Sequence, residues 1–303
     1  MIITGDSLTV LRDQKSESVQ TVITSPPYWG LRDYGHEDQL GLEKSPEEYV
    51  QNLVEVFAEV KRILKDDGTL WLNLGDSYSG SGKGPAGNLG KNHDERNLQS
   101  KHSAIVPEGL KPKDLIGIPW RVAFALQTDG WYLRQDIIWA KPNPMPESVT
   151  DRCTKSHEYL FLLSKSARYY YDNEAIKERS VSVIGENTQI RFGGNKYGDS
   201  DDPKHATKSG NVYEPQELRN KRDVWTIATQ PFKGAHFAVM PEALVEPCVL
   251  AGSRLGDLVL DPFAGSGTVG AVATRNGRGF LGIELNPEYA DLARSREELP
   301  YLI

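Results

Sequence analysis

The sequence predicts an α/β fold, a mostly parallel twisted sheet with helices on both faces, and three observations carry that prediction. Short apolar runs bounded by polar turns alternate with stretches of helical period at both ends of the chain. The run at 258–261 passes through a glycine turn into a helical stretch and then into another apolar run, the pattern of a parallel crossover. The run at 19–24 stops at Ser25-Pro26-Pro27, where the prolines fix φ and push Ser25 into an extended conformation.

The elements follow in order. Residues 1–4 read as a strand, 7–12 as a helix and 19–24 as a second strand. A helix is predicted over 46–64, with Ser45 as N-cap and an apolar stripe of Leu53, Val56, Phe57, Val60, Ile63 and Leu64. Asp67-Gly68 then turns the chain into a strand over 69–74. From 77 to 113 the composition shifts to Gly, Ser, Lys, Asn and His, which predicts a long mobile loop of the kind that acts as a lid or binding segment. A helix over 119–128 and strands over 132–140 and 158–164 restore the alternation. Residues 173–235 are polar with scattered aromatics and read as an insertion. Regular pattern resumes with a helix over 241–251, a strand over 258–261, a helix over 267–275 and a strand over 279–285. A last helix is capped by Asn286 with Pro287 at its first position.

A chain of 303 residues can bury a substantial core as one large domain, with or without an insertion. Its two cysteines, Cys153 and Cys248, lie far apart and suggest neither a disulfide framework nor a zinc site. The six histidines fall mainly in polar stretches, so no metal centre is expected. Residues 1–10 carry no basic run ahead of an apolar stretch, and no window approaches the length of a membrane span; a soluble, cytoplasmic protein is the expectation. The net charge of −7 is unevenly spread: residues 152–235 carry +3 between flanks of −6 and −4. A local basic region can supply phosphate contacts while the remainder stays acidic.

Two segments carry chemistry. Gly265-Ser266-Gly267-Thr268-Val269-Gly270 follows an apolar strand, opens a helix, and has Glu284 at the end of the next strand. Glycines let backbone approach a ligand closely, and an acid about 20 residues on can accept hydrogen bonds from ribose hydroxyls. Taken alone, this turn suits either a nicotinamide dinucleotide or an adenosyl cofactor; a tight turn without ligand also fits. Only one helix follows Glu284, so the second half of a dinucleotide site would have to come from upstream segments; no Gly-Lys-Ser/Thr follows the glycines, which argues against a phosphate loop. The second segment, Thr24-Ser25-Pro26-Pro27-Tyr28-Trp29, offers the Ser25 Oγ and the Pro26 carbonyl as acceptors for the protons of an exocyclic base amine. Such acceptors favour a more tetrahedral nitrogen as a methyl group arrives. Tyr28 offers a ring on which an extruded base can stack. No Ser-His-Asp arrangement is evident, and an activated sulfonium donor would need none.

At these residues the chain resembles the β group of DNA amino-methyltransferases, in which the catalytic motif precedes the cofactor motif. The resemblance rests on Ser25-Pro26-Pro27-Tyr28, Asp261-Pro262-Phe263-Ala264-Gly265-Ser266-Gly267-Thr268, Gly5-Asp6-Ser7-Leu8 and Trp139-Ala140-Lys141-Pro142-Asn143-Pro144, with His157-Glu158 following as the family's usual prelude to its target-recognition region. It implies a Rossmann-like methyltransferase fold that binds S-adenosylmethionine and double-stranded DNA. By the same resemblance Ser25, Pro26, Pro27 and Tyr28 are the catalytic residues. Asp6, Asp261, Phe263, Ala264, Gly265, Ser266, Gly267, Thr268, Glu284 and His236 would hold the cofactor, and Lys141, Asn143 and Arg32 would contact DNA. Residues 1–172 would form the catalytic part of the domain, 173–235 a target-recognition insertion, and 236–303 the cofactor-binding part. The Ser-Pro-Pro-Tyr form is typical of cytosine-N4 enzymes, with adenine-N6 methylation as the alternative. A non-catalytic DNA-binding protein or a nicotinamide-dependent enzyme is the more distant one. A restriction endonuclease is an implied partner, and the chain would act as monomer or homodimer.

Overall fold

The computed structural model describes residues 1–31, 36, 39–80, 106–180, 217–230 and 239–297. In chain order its elements are β1 (Ile2–Thr4), α1 (Ser7–Arg12), β2 (Val19–Thr24), α2 (Pro46–Ile63), β3 (Leu64–Leu74), α3 (Ile118–Thr128), β4 (Tyr132–Ala140), β5 (His157–Ser164), β6 (Glu178–Arg179), β7 (Leu218–Arg219), β8 (Val224–Thr226), α4 (Glu242–Gly252), β9 (Leu258–Asp261), α5 (Thr268–Arg275), β10 (Gly279–Glu284) and α6 (Pro287–Glu297).

Every residue of β2 is buried, as befits a strand covered on both faces. It lies near the middle of a sheet ordered β1-β10-β9-β2-β3-β5-β4-β8. The pairings from β1 through to β3 are parallel, and so is β4 with β8. Only β5 runs against its two neighbours. The chain starts at one edge, reaches the middle with β2 and builds outward; after β8 it returns to place β9 and β10 between β1 and β2. The junction of β9 with β2 is therefore a topological switch point, where the crossovers on either side diverge and leave a crevice at the strand ends.

Alternation along the strands divides the apolar residues between two cores. Val22, Leu70, Leu72, Phe161, Leu163, Leu260 and Leu281 face Leu11, Phe57 and Val122 of α1, α2 and α3. Ile23, Trp71, Leu160, Leu162, Val259 and Phe280 face Val245, Val272 and Ala293 of α4, α5 and α6. Helices thus cover both faces, as the sequence predicts. The cap of α2 is the expected one: Ser45 Oγ accepts from the Glu48 amide at 3.1 Å, and Pro46 takes the first position, where its missing donor costs nothing.

Two elements depart from the prediction. β3 begins at Leu64, directly after α2, instead of at residue 69. Val19 pairs with Leu64 but Thr21 pairs with Thr69, so Lys65 to Gly68 bulge opposite Gln20, whose side-chain amide holds Asp67 Oδ1 at 3.0 Å. Within the stretch read as an insertion, Val224–Thr226 is a strand of the main sheet, and Trp225 is buried in the second core. The feet of the predicted 77–113 loop are joined: Ser79 N donates to Asp114 O at 2.8 Å and Ile116 N to Ser77 O at 3.0 Å. Its centre, 81–105, lies outside the described residues, as do 181–216 of the predicted insertion.

Candidate active site

The parallel strands bring their carboxyl ends to one edge of the sheet, in the order Asp6 after β1, Glu284 at the end of β10, Asp261 at the end of β9, Ser25 after β2, and Asn73 near the end of β3. Because β5 is antiparallel, its beginning comes to the same edge: Leu74 pairs with Tyr159, and Trp139 with Glu158. Residues 237 positions apart thus become neighbours. Thr24 Oγ1 donates to Asp261 Oδ1 at 2.6 Å, tying the Ser-Pro-Pro-Tyr segment to the glycine turn across the switch point.

Within the proline segment, Pro26 is buried, and Tyr49 of α2 donates its hydroxyl to the Pro27 carbonyl at 2.8 Å. The Tyr28 ring rests on Gly75, where an added Cβ would come within 2.6 Å of a ring carbon. Its hydroxyl is the hub of a cluster. Ser25 Oγ donates to Tyr28 Oη at 3.2 Å, and Tyr28 Oη donates to Glu158 Oε2 at 2.7 Å. Asn73 Nδ2 donates to Tyr28 Oη at 2.8 Å and to Glu158 Oε2 at 2.9 Å. Glu158 Oε1 is ion-paired to Lys141 Nζ, which lies 4.2 Å from the centre of the Trp139 ring. Bonds between ionised partners in so enclosed a place hold side chains firmly.

On the other side, Gly265 and Gly267 take φ of 50° and 78°, the left-handed region that the turn requires. Glu284 is oriented by backbone: Oε2 accepts from the Gly265 amide at 2.8 Å and Oε1 from the Asn286 amide at 2.9 Å. Burial raises the pKa of this carboxyl despite those bonds. Each oxygen retains acceptor capacity, so this pair of acceptors fits two donating ribose hydroxyls, which would replace lost hydration. Burial also pushes the Asp261 carboxyl up to about 7, against the opposing pull of Thr24 and the Phe263 amide. Ala264 is held to β10 by its amide bond to Ile283 O, and Phe263 packs on the first core. Ser266 and Thr268 are buried with their hydroxyls 3.2 Å from the Arg296 guanidinium, so they brace the turn from behind. Asp6 is exposed and caps α1 through the Thr9 amide at 2.8 Å.

Of the residues expected at DNA, Lys141 is tied into the Glu158 cluster, and Asn143 is spent on a clasp to Thr229, donating to its carbonyl at 3.1 Å and accepting from its amide at 2.9 Å. Arg32 and His236 lie outside the described residues. Sequence reasoning missed Asn73, Glu158 and Asp76 as site residues. Asp76 Oδ1 accepts from the amides of Gly117 and Ile118 at 3.0 and 3.1 Å, fixing the start of α3 to the exit of β3. Asn73 left a signal, a lone amide in the apolar run Leu70-Trp71-Leu72-Asn73-Leu74; Glu158 left one as half of the His157-Glu158 pair in the resemblance, but with no role at the site attached to it. Among the described residues no cluster of three or more His, Cys, Asp and Glu could hold a metal ion, and no helix is long and apolar enough to cross a membrane.

A doubly wound sheet with a glycine turn and buried acid on one side of the switch point, and a proline-ended strand on the other, fits the methyltransferase class. Comparison with known proteins narrows it. The family model described as DNA methylase, covering N6- and N4-methyltransferases, matches residues 19–295. The chain is 51% identical over 295 residues to the type II methyltransferase M.Cfr9I of Citrobacter freundii, covering 96% of this chain and 85% of that one. It is 50% identical over 297 residues to the type II methyltransferase M.SmaI of Serratia marcescens, covering 97% and 89%. Among solved structures, the cytosine-N4-specific PvuII DNA methyltransferase superposes with a TM-score of 0.64 at 20% identity, over 97% of this chain and 85% of that chain. A protein described as a DNA modification methylase of Thermus thermophilus, in complex with S-adenosyl-L-methionine, does so with a TM-score of 0.58 at 23% identity, over 99% and 95%. The chain belongs to the DNA methylase family of amino-methyltransferases, and it is a DNA methyltransferase.

Proposed function

We propose that this protein transfers a methyl group from S-adenosylmethionine to the exocyclic N4 amine of a cytosine flipped out of double-stranded DNA, within a short specific sequence. The observation that carries the reading is the junction of β2 and β9, where the Thr24–Asp261 hydrogen bond sets Ser25 beside the glycine turn at one edge of the sheet. The bound cofactor supplies an activated methyl group on a sulfonium. Glu284 would receive the ribose hydroxyls, and the Gly265 turn would line the methionine end. Ser25 Oγ and the Pro26 carbonyl accept from the amine and favour its tetrahedral form, while Tyr28 offers its ring to the base.

Serine in the first motif position supports cytosine over adenine by resemblance, and the PvuII enzyme that shares the fold is itself described as cytosine-N4-specific. The type II relatives support a place in a restriction-modification pair, with an endonuclease of matching specificity as the counterpart. Nucleoside mass spectrometry of duplex DNA treated with the protein and cofactor is the test. N4-methylcytosine is the expected product. N6-methyladenine would overturn the choice of base, and an unmodified duplex despite bound cofactor would overturn the activity.

A further inference from the structure

Methylation of a neutral base amine forms a nitrogen–carbon bond, leaves the carbon–sulfur electron pair on sulfur, and gives the nitrogen one proton too many. We infer that Glu158 is the terminal acceptor of that proton, reached through Ser25 and Tyr28. The inference rests on the methyl-transfer reading above and deepens it.

The hydrogen bonds already run in the required direction. Ser25 Oγ donates to Tyr28 Oη, and Tyr28 Oη donates to Glu158 Oε2. A proton arriving on Ser25 Oγ from the amine displaces the serine proton to Tyr28 Oη, and the tyrosine proton passes to Glu158. One proton leaves the base and one arrives on the carboxylate, with serine and tyrosine restored. Asn73 donates to both Tyr28 Oη and Glu158 Oε2 and so holds the two oxygens of the last relay step together. Lys141 is ion-paired to the other carboxylate oxygen and holds Glu158 facing Tyr28. An amine conjugated to the ring becomes a strong acid once methylated, so a carboxylate can serve as the sink. Lys155 and His157 also lie in the electrostatic reach of Glu158.

Glu158 is thus a positioning and relay residue, and its variants separate relay from scaffolding. Glu158→Gln keeps an acceptor oxygen for Tyr28 and the shape of the cluster; Tyr28→Phe keeps the ring and breaks the relay. In single-turnover assays with saturating cofactor and duplex, each is expected to slow methyl transfer by about 10²- to 10⁴-fold. Cofactor affinity should be little changed. The double variant should be no slower than either single one, because the groups act as a unit. A second readout needs neither cofactor nor DNA: with ¹³Cζ-labelled tyrosine, the Tyr28 resonance should titrate at lower pH in Glu158→Gln than in the parent, since a carboxylate acceptor has been removed. A parent-like rate in Glu158→Gln, additive losses in the double variant, or an unmoved Tyr28 titration would each overturn the relay. A parent protein that binds cofactor but methylates no DNA would instead overturn the reaction itself.

Discussion

Three side chains at the site separate binding from chemistry. Ser25 touches the reacting amine in the proposed pose but bonds nothing in the glycine turn, so Ser25→Ala should lower single-turnover rate by about 10²-fold or more, the scale of one lost transition-state hydrogen bond, while isothermal titration finds cofactor affinity little changed. Glu284→Ala should do the reverse, because it removes the acceptor for the ribose and unties the Gly265 and Asn286 amides. Asp261 gives a pH signature. Its carboxyl is pushed up to about 7 in the folded chain, whereas an unfolded aspartate titrates near about 4. The folded state holds the proton longer, so the contribution of Asp261 to stability is complete below about pH 4 and is lost as pH rises towards about 7. Asp261→Asn retains an acceptor oxygen for Thr24 and the Phe263 amide. Urea unfolding across that window should therefore show a flatter pH dependence in the variant than in the parent. Legibility at this scale was uneven for a physical reason. Ser25, Gly265 and Glu284 announce themselves by local backbone chemistry, through prolines, glycines and the end of an apolar strand. Glu158 acquires its partners only by tertiary pairing with β3 and β4.

At the level of elements, most helices and strands were written in period and punctuation. Ser45 and Pro46 start α2, and β9, α5 and β10 follow the apolar runs and glycines that separate them. The failures are those of sheet context. β8 is three residues in a polar stretch, and it becomes a strand because β4 offers a parallel edge and the second core takes Trp225. The early start of β3 is likewise dictated by pairing with β2 and is invisible in a run as polar as Lys65-Asp66-Asp67-Gly68. One helix entry is sharply constrained. Gly267 has φ of 78°, and an added Cβ would lie 3.0 Å from the Ala293 Cα of α6. Gly267→Ala should lower unfolding free energy by at least about 1 kcal/mol, from the left-handed conformation alone, read as a lower denaturant midpoint at unchanged slope.

Across the molecule, one sheet carries both halves of the proposed site, with the proposed cofactor side on β1, β9 and β10 and the proposed acceptor side on β2 to β5. A ligand seated over the β9–β2 junction therefore reports on the whole sheet. Cofactor at about a hundred times its Kd should stabilise the folded chain by about 2.7 kcal/mol, seen as a shift of one cooperative thermal transition. Two resolved transitions, with only one responding, would contradict a shared sheet. The overall topology was legible in outline because the alternation of strands and helices allows few arrangements, whereas the reversed setting of β5 leaves no trace in composition.

That reversal has a further consequence. A strand laid in the common direction only delivers the chain to the reactive rim, whereas β5 takes the chain up there and carries it back down. The connection over 142–156 is a hairpin crown closed at its base by the Lys141 amide on Ser156 O at 2.7 Å. A change of length in the crown above that clasp would leave the strand register below it undisturbed. The rim thus carries, beside the proposed site, a connection whose length is uncoupled from the pairing of the sheet.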